Sequence, residues 1–171
     1  MDEPFGAVLF DRDGTLIRDV PYNGDPARVT PMPGAREALR TLRAHGLRTG
    51  VVSNQSGIGR GLLTESQVGA VNARVEELLG RFGTWQICPH LPGDGCACRK
   101  PAPGLVFAAC EALHVDPRRV VVVGDIGADV RAAEAAGAVA VLVPTPVTRP
   151  DEVADATRTA PDLATAIEMI L

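Results

Sequence analysis

The sequence predicts an α/β protein, folded as a three-layer α/β/α sandwich around a mainly parallel sheet. Strand and helix signals alternate along the 171 residues, and no linker or internal repeat interrupts them. The strand signals are short, continuous apolar runs, which are typical of parallel strands covered by helices on both faces. A chain of this length usually forms one folding unit, so we expect a single domain over residues 1–171.

Polar residues follow the first, second and fourth predicted strands. The first strand ends at Asp11, and the second runs into Ser53 and Asn54. The fourth is a run of four valines that stops at Gly124. Such runs favour the buried strands of a Rossmann-like sheet. We predict strands at residues 7–10, 49–52, 84–87, 120–123 and 138–143.

The helices are predicted from apolar residues at helical spacing and from signals at their ends. Gly46 follows the first helix, and Gly137 closes an alanine-rich helix further on. Thr64 precedes the second helix with Gln67 three residues later, which is the pattern of a capping box. We predict helices at residues 34–45, 64–79, 105–113, 129–136 and 162–171.

The composition excludes several classes of protein. With 46% hydrophobic and 22% charged residues, the chain is too apolar to be disordered. Its apolar runs fall far short of the roughly 18 residues that cross a membrane. The net charge of −4 argues against a nucleic-acid partner, and the acidic start Met1-Asp2-Glu3 is unlike a secretory signal. We therefore expect a cytoplasmic protein with no membrane or nucleic-acid partner, and we take it to be a monomer.

Acidic residues follow two of the predicted strands. Asp11 and Asp13 lie in the sequence Asp-Arg-Asp-Gly-Thr after the first strand, and Asp125 and Asp129 follow the fourth. Because parallel strands end at one edge, these side chains are expected to converge on a magnesium ion. Asp125 would add a third oxygen ligand, and Asp129 would orient the metal or a bound water. A solvated Asp-Gly turn and capping of a helix by Asp125 are the alternatives.

A phosphate-binding loop is predicted after the second strand. Residues 53–61, Ser-Asn-Gln-Ser-Gly-Ile-Gly-Arg-Gly, offer hydroxyl, amide and backbone N–H donors. A dinucleotide-binding loop is the alternative, but the pattern G-x-G-x-x-G fails because Leu62 stands at its last position. We therefore expect no nucleotide cofactor.

A zinc site is predicted in the loop at residues 88–98. Cys88 and His90 form one pair two residues apart, and Cys96 and Cys98 form another, so each pair can face one side of an extended segment. Three thiolates and one imidazole complete a tetrahedral zinc shell with no open position, which makes this zinc structural. Four reduced side chains without a metal are the alternative. Cys110 is assigned to the apolar face of a helix.

The only lysine of the chain, Lys100, directly follows the cysteine loop, with Arg99 before it. A loop stiffened by zinc would hold Lys100, and with it Arg99, over the sheet edge where the carboxylates converge. A solvated surface pair is the alternative.

These motifs, in this order, resemble those of the haloacid dehalogenase superfamily of phosphohydrolases. The resemblance consists of a strand with DxDGT, a strand with Ser-Asn, a lone lysine before proline and a strand with GD-x3-D, and it covers essentially the whole chain. The cysteine loop ending in Cys-Arg-Lys-Pro is similar to the group of heptose bisphosphate phosphatases and histidinol-phosphate phosphatase domains. The resemblance implies a HAD-like fold without a large cap domain, since no insertion here is big enough to make one.

Carried over position by position, the resemblance implies an aspartyl-phosphate mechanism. Asp11 attacks phosphorus, and Asp13 protonates the leaving alcohol and then activates water. Ser53 and Lys100 hold and neutralise the transferring phosphoryl group. Asp125 binds the catalytic magnesium together with Asp11 and the backbone carbonyl of Asp13, while zinc stays structural.

The resemblance also implies a substrate. Residues 53–61 and Val-Pro-Tyr-Asn at 20–23 are similar to heptose bisphosphate phosphatases, whereas the short Cys-Pro-His-Leu-Pro segment is also similar to histidinol-phosphate phosphatases. We weight the loop that faces the substrate more heavily and expect release of the 7-phosphate from D-glycero-D-manno-heptose 1,7-bisphosphate. The alternatives are a histidinol-phosphate phosphatase, a nucleic-acid 3′-phosphatase and a phosphate-binding module without turnover.

The substrate contacts expected from the resemblance lie in two short segments. Arg60 is the candidate for the remote phosphate, and Ile126 departs from the basic residue that often follows Gly-Asp in the heptose enzymes. The expected substrate-binding residues are Asn54, Gln55, Ser56, Gly57, Arg60 and Arg99.

Overall fold

Five parallel strands form one sheet in the computed structural model, which describes residues 4–171. The strand order is β3-β2-β1-β4-β5, so the chain builds outward on one side of β1 and then on the other. This reversal places a topological switch point beside β1, where ligands of such sheets bind. The strands are β1 (Ala7–Phe10), β2 (Arg48–Asn54), β3 (Thr84–Cys88), β4 (Val120–Gly124) and β5 (Val139–Leu142).

The five predicted helices are confirmed, with ends that differ from the prediction by at most two residues. Two further helices, at Ser56–Gly59 and Pro150–Asp155, and two 3-10 turns at Pro26–Arg28 and Pro117–Arg119 were not predicted, because each is too short to show a hydrophobic period. The helices are α1 (Ala35–Ala44), α2 (Ser56–Gly59), α3 (Glu65–Leu79), α4 (Gly104–Leu113), α5 (Gly127–Ala136), α6 (Pro150–Asp155) and α7 (Leu163–Ile170).

The core lies in two layers on opposite faces of the sheet. In β1, Val8 and Phe10 pack into the layer made with α1, α3 and α7. Ala7 and Leu9 pack into the other layer, made with α4 and α5. Burial of every residue of β1 agrees with the continuous apolar run in the sequence and confirms the three-layer sandwich.

Local signals fix the helix ends that the sequence predicted. Gln67 donates its backbone N–H to Thr64 Oγ1 at 3.1 Å, and Thr64 donates its own to Gln67 Oε1 at 2.9 Å, which completes the capping box of α3. Gly137 ends α5 at φ 80°, in the left-handed region that glycine adopts without strain.

Within residues 4–171, no helix is long and apolar enough to cross a lipid bilayer. The acidic start at residues 1–3, on which the argument against a secretory signal rests, lies outside the described residues.

Candidate active site

Three carboxylates meet at the carboxyl end of the sheet. Asp11 follows β1, whereas Asp125 and Asp129 follow β4, and oxygens of all three lie within 4.8 Å of one another. The register of β1 and β4 brings them together, because Phe10 pairs with Val123 and the Asp11 backbone N–H donates to the Val123 carbonyl at 3.0 Å. The predicted convergence of these side chains is therefore present in the fold.

Lys100 lies against this cluster and is only 3% exposed. Its Nζ donates to Asp11 Oδ1 at 2.8 Å, to Asp129 Oδ1 at 2.6 Å and to the Val52 carbonyl at 2.8 Å, so all three ammonium protons have acceptors. Three carboxylates and one ammonium leave two negative charges in a buried pocket. That surplus and the oxygen donor set fit one magnesium ion.

Burial and the mutual repulsion of the carboxylates shift the pKa values of this cluster. Burial raises the pKa of Asp11 well above its usual range, and the neighbouring Asp129 and Asp125 charges add to this against the opposing effect of Lys100. Burial and the Asp129 charge raise the pKa of Asp125 to about 6. Burial alone would lower the pKa of Lys100, but Asp11 and Asp129 outweigh it and raise that pKa above its ordinary value.

Two glycines allow the backbone to approach these carboxylates. Gly14 has φ +82°, and a Cβ there would lie 2.3 Å from Asp125 Oδ2. A Cβ on Gly124 would lie 2.3 Å from the Asp129 side chain. The glycines of both motifs are therefore required by close packing around the site.

Asp129 holds the start of α5 as well as Lys100. Its Oδ2 accepts the backbone N–H groups of Asp125 at 3.1 Å and Ile126 at 3.2 Å. The alternative in which Asp125 caps this helix is wrong, because Ile126 occupies the N-cap position and Asp129 supplies the carboxylate. The Asp125 side chain is thus left facing the cluster.

Asp13 lies beside the cluster but binds different partners. Arg12 donates Nε to Asp13 Oδ1 and Nη2 to Asp13 Oδ2, both at 3.2 Å. Gln55 donates Nε2 to Asp13 Oδ2 at 2.9 Å and also to Ser53 Oγ at 2.8 Å. Gln55 therefore joins the end of β2 to the loop after β1.

Asn54 binds the protein where the sequence predicted a substrate contact. Its Nδ2 donates to the Lys100 carbonyl at 3.1 Å, and its Oδ1 accepts the Lys100 backbone N–H at 3.1 Å. This reciprocal pair fixes the main chain that carries the lysine. No periodicity or spacing in the sequence indicates a contact between residues 46 positions apart.

The other predicted substrate contacts lie around α2 and the cysteine loop. Ser56 opens α2, and Gly57 is buried against Tyr22 and Leu63. Arg60 is exposed at the end of this helix. The Arg99 side chain donates Nη1 to the His90 carbonyl at 3.4 Å, so it contacts the cysteine loop.

The four side chains predicted to bind zinc lie together, with one ligand atom from each within 4.8 Å of the others. Cys88 Sγ lies 3.8 Å from Cys96 Sγ and 3.2 Å from Cys98 Sγ, and His90 Nδ1 lies 3.4 Å from Cys88 Sγ and 3.2 Å from Cys98 Sγ. Zinc–sulfur bonds of about 2.3 Å at tetrahedral angles place sulfurs about 3.8 Å apart, which the Cys88–Cys96 pair matches, while Cys88 and Cys98 lie closer together. The cluster is therefore compatible with zinc, while Cys110 is buried apart from it in α4, as predicted.

The thiols of this cluster differ in acidity. Burial and the Cys98 thiol raise the pKa of Cys88 to about 12. Desolvation opposes ionisation of Cys96, but hydrogen bonds from the Arg99 and Cys98 backbone N–H groups and from neighbouring thiols lower its pKa to about 7. The Arg99 backbone N–H lies 3.4 Å from Cys96 Sγ, so the same segment that stabilises a thiolate leads into Lys100.

Two family models match the chain in separate segments. A model described as haloacid dehalogenase-like hydrolase matches residues 8–73, which include Asp11 and Asp13. A model described as HAD-hydrolase-like matches residues 97–167, which include Lys100 and Asp125.

Relatives match over most of the chain. The Pseudomonas putida protein named D-glycero-beta-D-manno-heptose-1,7-bisphosphate 7-phosphatase is 38% identical over 143 residues, which cover 81% of this chain and 82% of that protein. The Bordetella bronchiseptica protein of the same name is 32% identical over 173 residues, with coverage of 96% and 97%. A crystal structure of D,D-heptose 1,7-bisphosphate phosphatase from B. bronchiseptica, complexed with magnesium and phosphate, has a TM-score of 0.84 at 30% identity and covers 96% of this chain and 97% of that one.

Proposed function

Since the chain belongs to the haloacid dehalogenase-like hydrolase family, whose members here include phosphate monoesterases, we propose that it removes the 7-phosphate from D-glycero-D-manno-heptose 1,7-bisphosphate. The observation that carries the proposal is the buried cluster of Asp11, Asp125 and Asp129 around Lys100 at the sheet edge. The choice of substrate is inferred from the relatives, because proteins named D-glycero-beta-D-manno-heptose-1,7-bisphosphate 7-phosphatase match most of this chain.

The reaction proceeds in two displacements at phosphorus. An Asp11 oxygen attacks the 7-phosphate, the bond from phosphorus to O7 breaks, and Asp13 gives its proton to O7. Asp13 then takes a proton from water as that water attacks the aspartyl-phosphate. The second displacement releases inorganic phosphate and restores the Asp11 carboxylate.

The neighbouring residues orient and neutralise the reacting groups. Asp11, Asp125 and the backbone carbonyl of Asp13 would hold magnesium, which would supply positive charge to the phosphoryl oxygens. Lys100 and the Ser53 hydroxyl face the phosphoryl group, and Lys100 keeps the Asp11 carboxylate oriented at 2.8 Å. Asp129 acts behind them by fixing Lys100 at 2.6 Å.

The cysteine loop at residues 88–98 supports this site from outside. A structural zinc ion would fix the conformation of this loop without taking part in the reaction. Its ligands would be Cys88, His90, Cys96 and Cys98. The loop leads directly into residues 99 and 100, so its rigidity is transmitted to Lys100.

Several sugar contacts are proposed around the mouth of the site. Arg60 is the candidate for the remote phosphate, because it is exposed at the end of α2, beside the loop that follows β2. Ser56, Gly57 and Arg99 complete the proposed contacts, whereas Asn54 and Gln55 support the site through protein contacts. Ile126 offers no charge at the position where the heptose enzymes often carry a basic residue.

The chain is proposed to act as one phosphatase domain over residues 1–171 and as a monomer. Both core layers share the single sheet, which supports one folding unit. A cytoplasmic location is proposed because a reducing compartment suits the thiols of Cys88, Cys96, Cys98 and Cys110, which are all free.

The experiment is a comparison of phosphate release with magnesium from heptose 1,7-bisphosphate, as both anomers, histidinol phosphate and fructose 1,6-bisphosphate. We expect the highest kcat/KM with a heptose anomer. Asp11→Asn is expected to abolish turnover in a folded protein, whereas Asp116→Asn, an exposed aspartate at the opposite end of β4, serves as the matched control. Preference for histidinol phosphate would overturn the substrate, and turnover by Asp11→Asn would overturn the mechanism.

A further inference from the structure

Arg12 lies between the two aspartates of the first motif, yet it is only 2% exposed. Its guanidinium grips Asp13 through Nε and Nη2, each 3.2 Å from a different carboxylate oxygen. A buried guanidinium is costly without an anionic partner, and this fork is the geometry that matches a carboxylate. Arg12 and Asp13 therefore form one bidentate unit.

The third guanidinium nitrogen is held by a helix far along the chain. Arg12 Nη1 donates to Asn72 Oδ1 at 2.8 Å, across 60 residues of sequence. Asn72 lies in the middle of α3, whose start is fixed by the capping box and whose Val71 and Val75 are buried in the core. The oxygen that accepts from Arg12 is therefore carried by a rigid helix.

Asp13 is held from its other side as well. Gln55 Nε2 donates to Asp13 Oδ2 at 2.9 Å, so both carboxylate oxygens accept hydrogen bonds from fixed groups. Removal of Asn72 would leave Arg12 free to turn about its side-chain torsions and would loosen this arrangement.

We propose that Arg12 and Asn72 form a positioning pair that sets the direction of the Asp13 carboxylate during both proton transfers. The inference rests on the proposed function, in which Asp13 gives a proton to the leaving oxygen and later takes one from water. Neither residue touches the reacting phosphorus in this assignment. Arg12 acts through Asp13, and Asn72 acts through Arg12.

The choice of leaving group separates positioning from general support of the fold. An alcohol leaves well only when it is protonated, whereas 4-nitrophenolate leaves without a proton. The ratio kcat/KM reports the steps through release of the leaving group, so a misplaced Asp13 lowers it for the sugar phosphate and spares it for 4-nitrophenyl phosphate. Hydrolysis of the aspartyl-phosphate still needs Asp13 with both substrates, so kcat falls with both.

The test uses Asn72→Leu, which keeps the size of the side chain and removes the acceptor, and Asn72→Asp, which keeps an acceptor for Arg12. Arg74→Ala is the matched control, since Arg74 lies on the same helix and pairs with the exposed Glu77, away from Arg12. Arg12→Lys keeps the charge without the fork and serves as a second variant if Asn72→Leu does not fold, as judged by thermal melting.

For Asn72→Leu we expect kcat/KM with heptose 1,7-bisphosphate to fall about 10- to 100-fold, part of the usual contribution of acid–base catalysis, with less than about a threefold change for 4-nitrophenyl phosphate. A burst of about one nitrophenolate per enzyme should appear, and Asn72→Asp should recover most of the loss. An equal fall in kcat/KM with both substrates, or no fall in kcat/KM with either, would overturn the positioning role while leaving the proposed function intact. Failure of the proposed function would show separately, as turnover by Asp11→Asn.

Discussion

Substitution Asn54→Ala tests how the site is held together, because the Asn54 amide binds the backbone of Lys100 through both its oxygen and its nitrogen. It removes both hydrogen bonds to the Lys100 backbone, each 3.1 Å long. At about 1 kcal/mol net for each bond, the ordered position of Lys100 loses about 2 kcal/mol. Because about 1.4 kcal/mol corresponds to a factor of ten, that position becomes about 30-fold less favoured.

We expect kcat/KM for phosphate release to fall by up to about 30-fold and the melting temperature to fall by about 4–8 °C, the usual response of a domain of this size to about 2 kcal/mol. Thermal melting and a continuous phosphate assay measure the two effects on one preparation. Gln86→Ala is the matched control, since its amide makes one bond, to Thr84 Oγ1 at 2.8 Å in β3. A variant that melts within about 1 °C of the parent and turns over within about twofold of it would refute the reasoning.

Three further predictions follow from the same geometry. Removal of the proposed zinc with a strong chelator, or the substitution Cys98→Ser, should lower the melting temperature and the turnover together, because the cysteine loop leads into Lys100. Zinc loss that changes neither quantity would contradict the proposed role of zinc in holding this loop. Cys110→Ala is the control for loss of a thiol. Gly14→Ala should raise the magnesium concentration for half-maximal activity by about tenfold or more, because its Cβ would meet Asp125 Oδ2 at 2.3 Å. Gly46→Ala, at φ +77° with open space around it, should cost only the backbone strain of about 1–2 kcal/mol and leave magnesium dependence unchanged. Because the pKa of Asp125 is raised to about 6, the folded state binds more protons than the unfolded state between about pH 4 and pH 6, so metal-free stability should fall as the pH rises through that window. Magnesium binds the ionised form and should therefore raise the melting temperature more at pH 7.5 than at pH 5, and Asp125→Asn should reduce that difference.

The strands and the acidic residues that follow them are predictable from sequence for one physical reason. A buried parallel strand must be apolar along its length, so the first polar residue marks both the end of the strand and the functional edge of the sheet. Asp11 and Asp125 are found in this way, and the cysteine loop is found because its ligands lie close together in sequence. These signals are local, and the fold only has to place them side by side.

The supporting contacts are not predictable because they join residues that are distant in sequence. From the sequence, Arg12 is indistinguishable from a solvated arginine in a loop. In the fold, its guanidinium donates to Asn72 of α3. The resemblance predicts that Asn54 and Gln55 bind substrate, a prediction that stays untested, and it gives no sign of their protein partners. The Asn54 amide binds the Lys100 backbone, and Gln55 is buried between Ser53 and Asp13. Polar residues at a sheet edge are therefore divided by the fold between chemistry and support.

The end of β2 explains why a structural metal matters to a site that it does not touch. The backbone of Asn54 pairs with that of Cys88 across β2 and β3, and its side chain pairs with Lys100. Cys88 begins the cysteine loop and Lys100 follows it, so Asn54 contacts both ends of the segment that the proposed zinc closes. Loss of zinc would loosen one side of this arrangement, and Asn54→Ala would loosen the other. Since both changes act on the same lysine, the double variant Asn54→Ala with Cys98→Ser should lose less activity than the product of the two single losses.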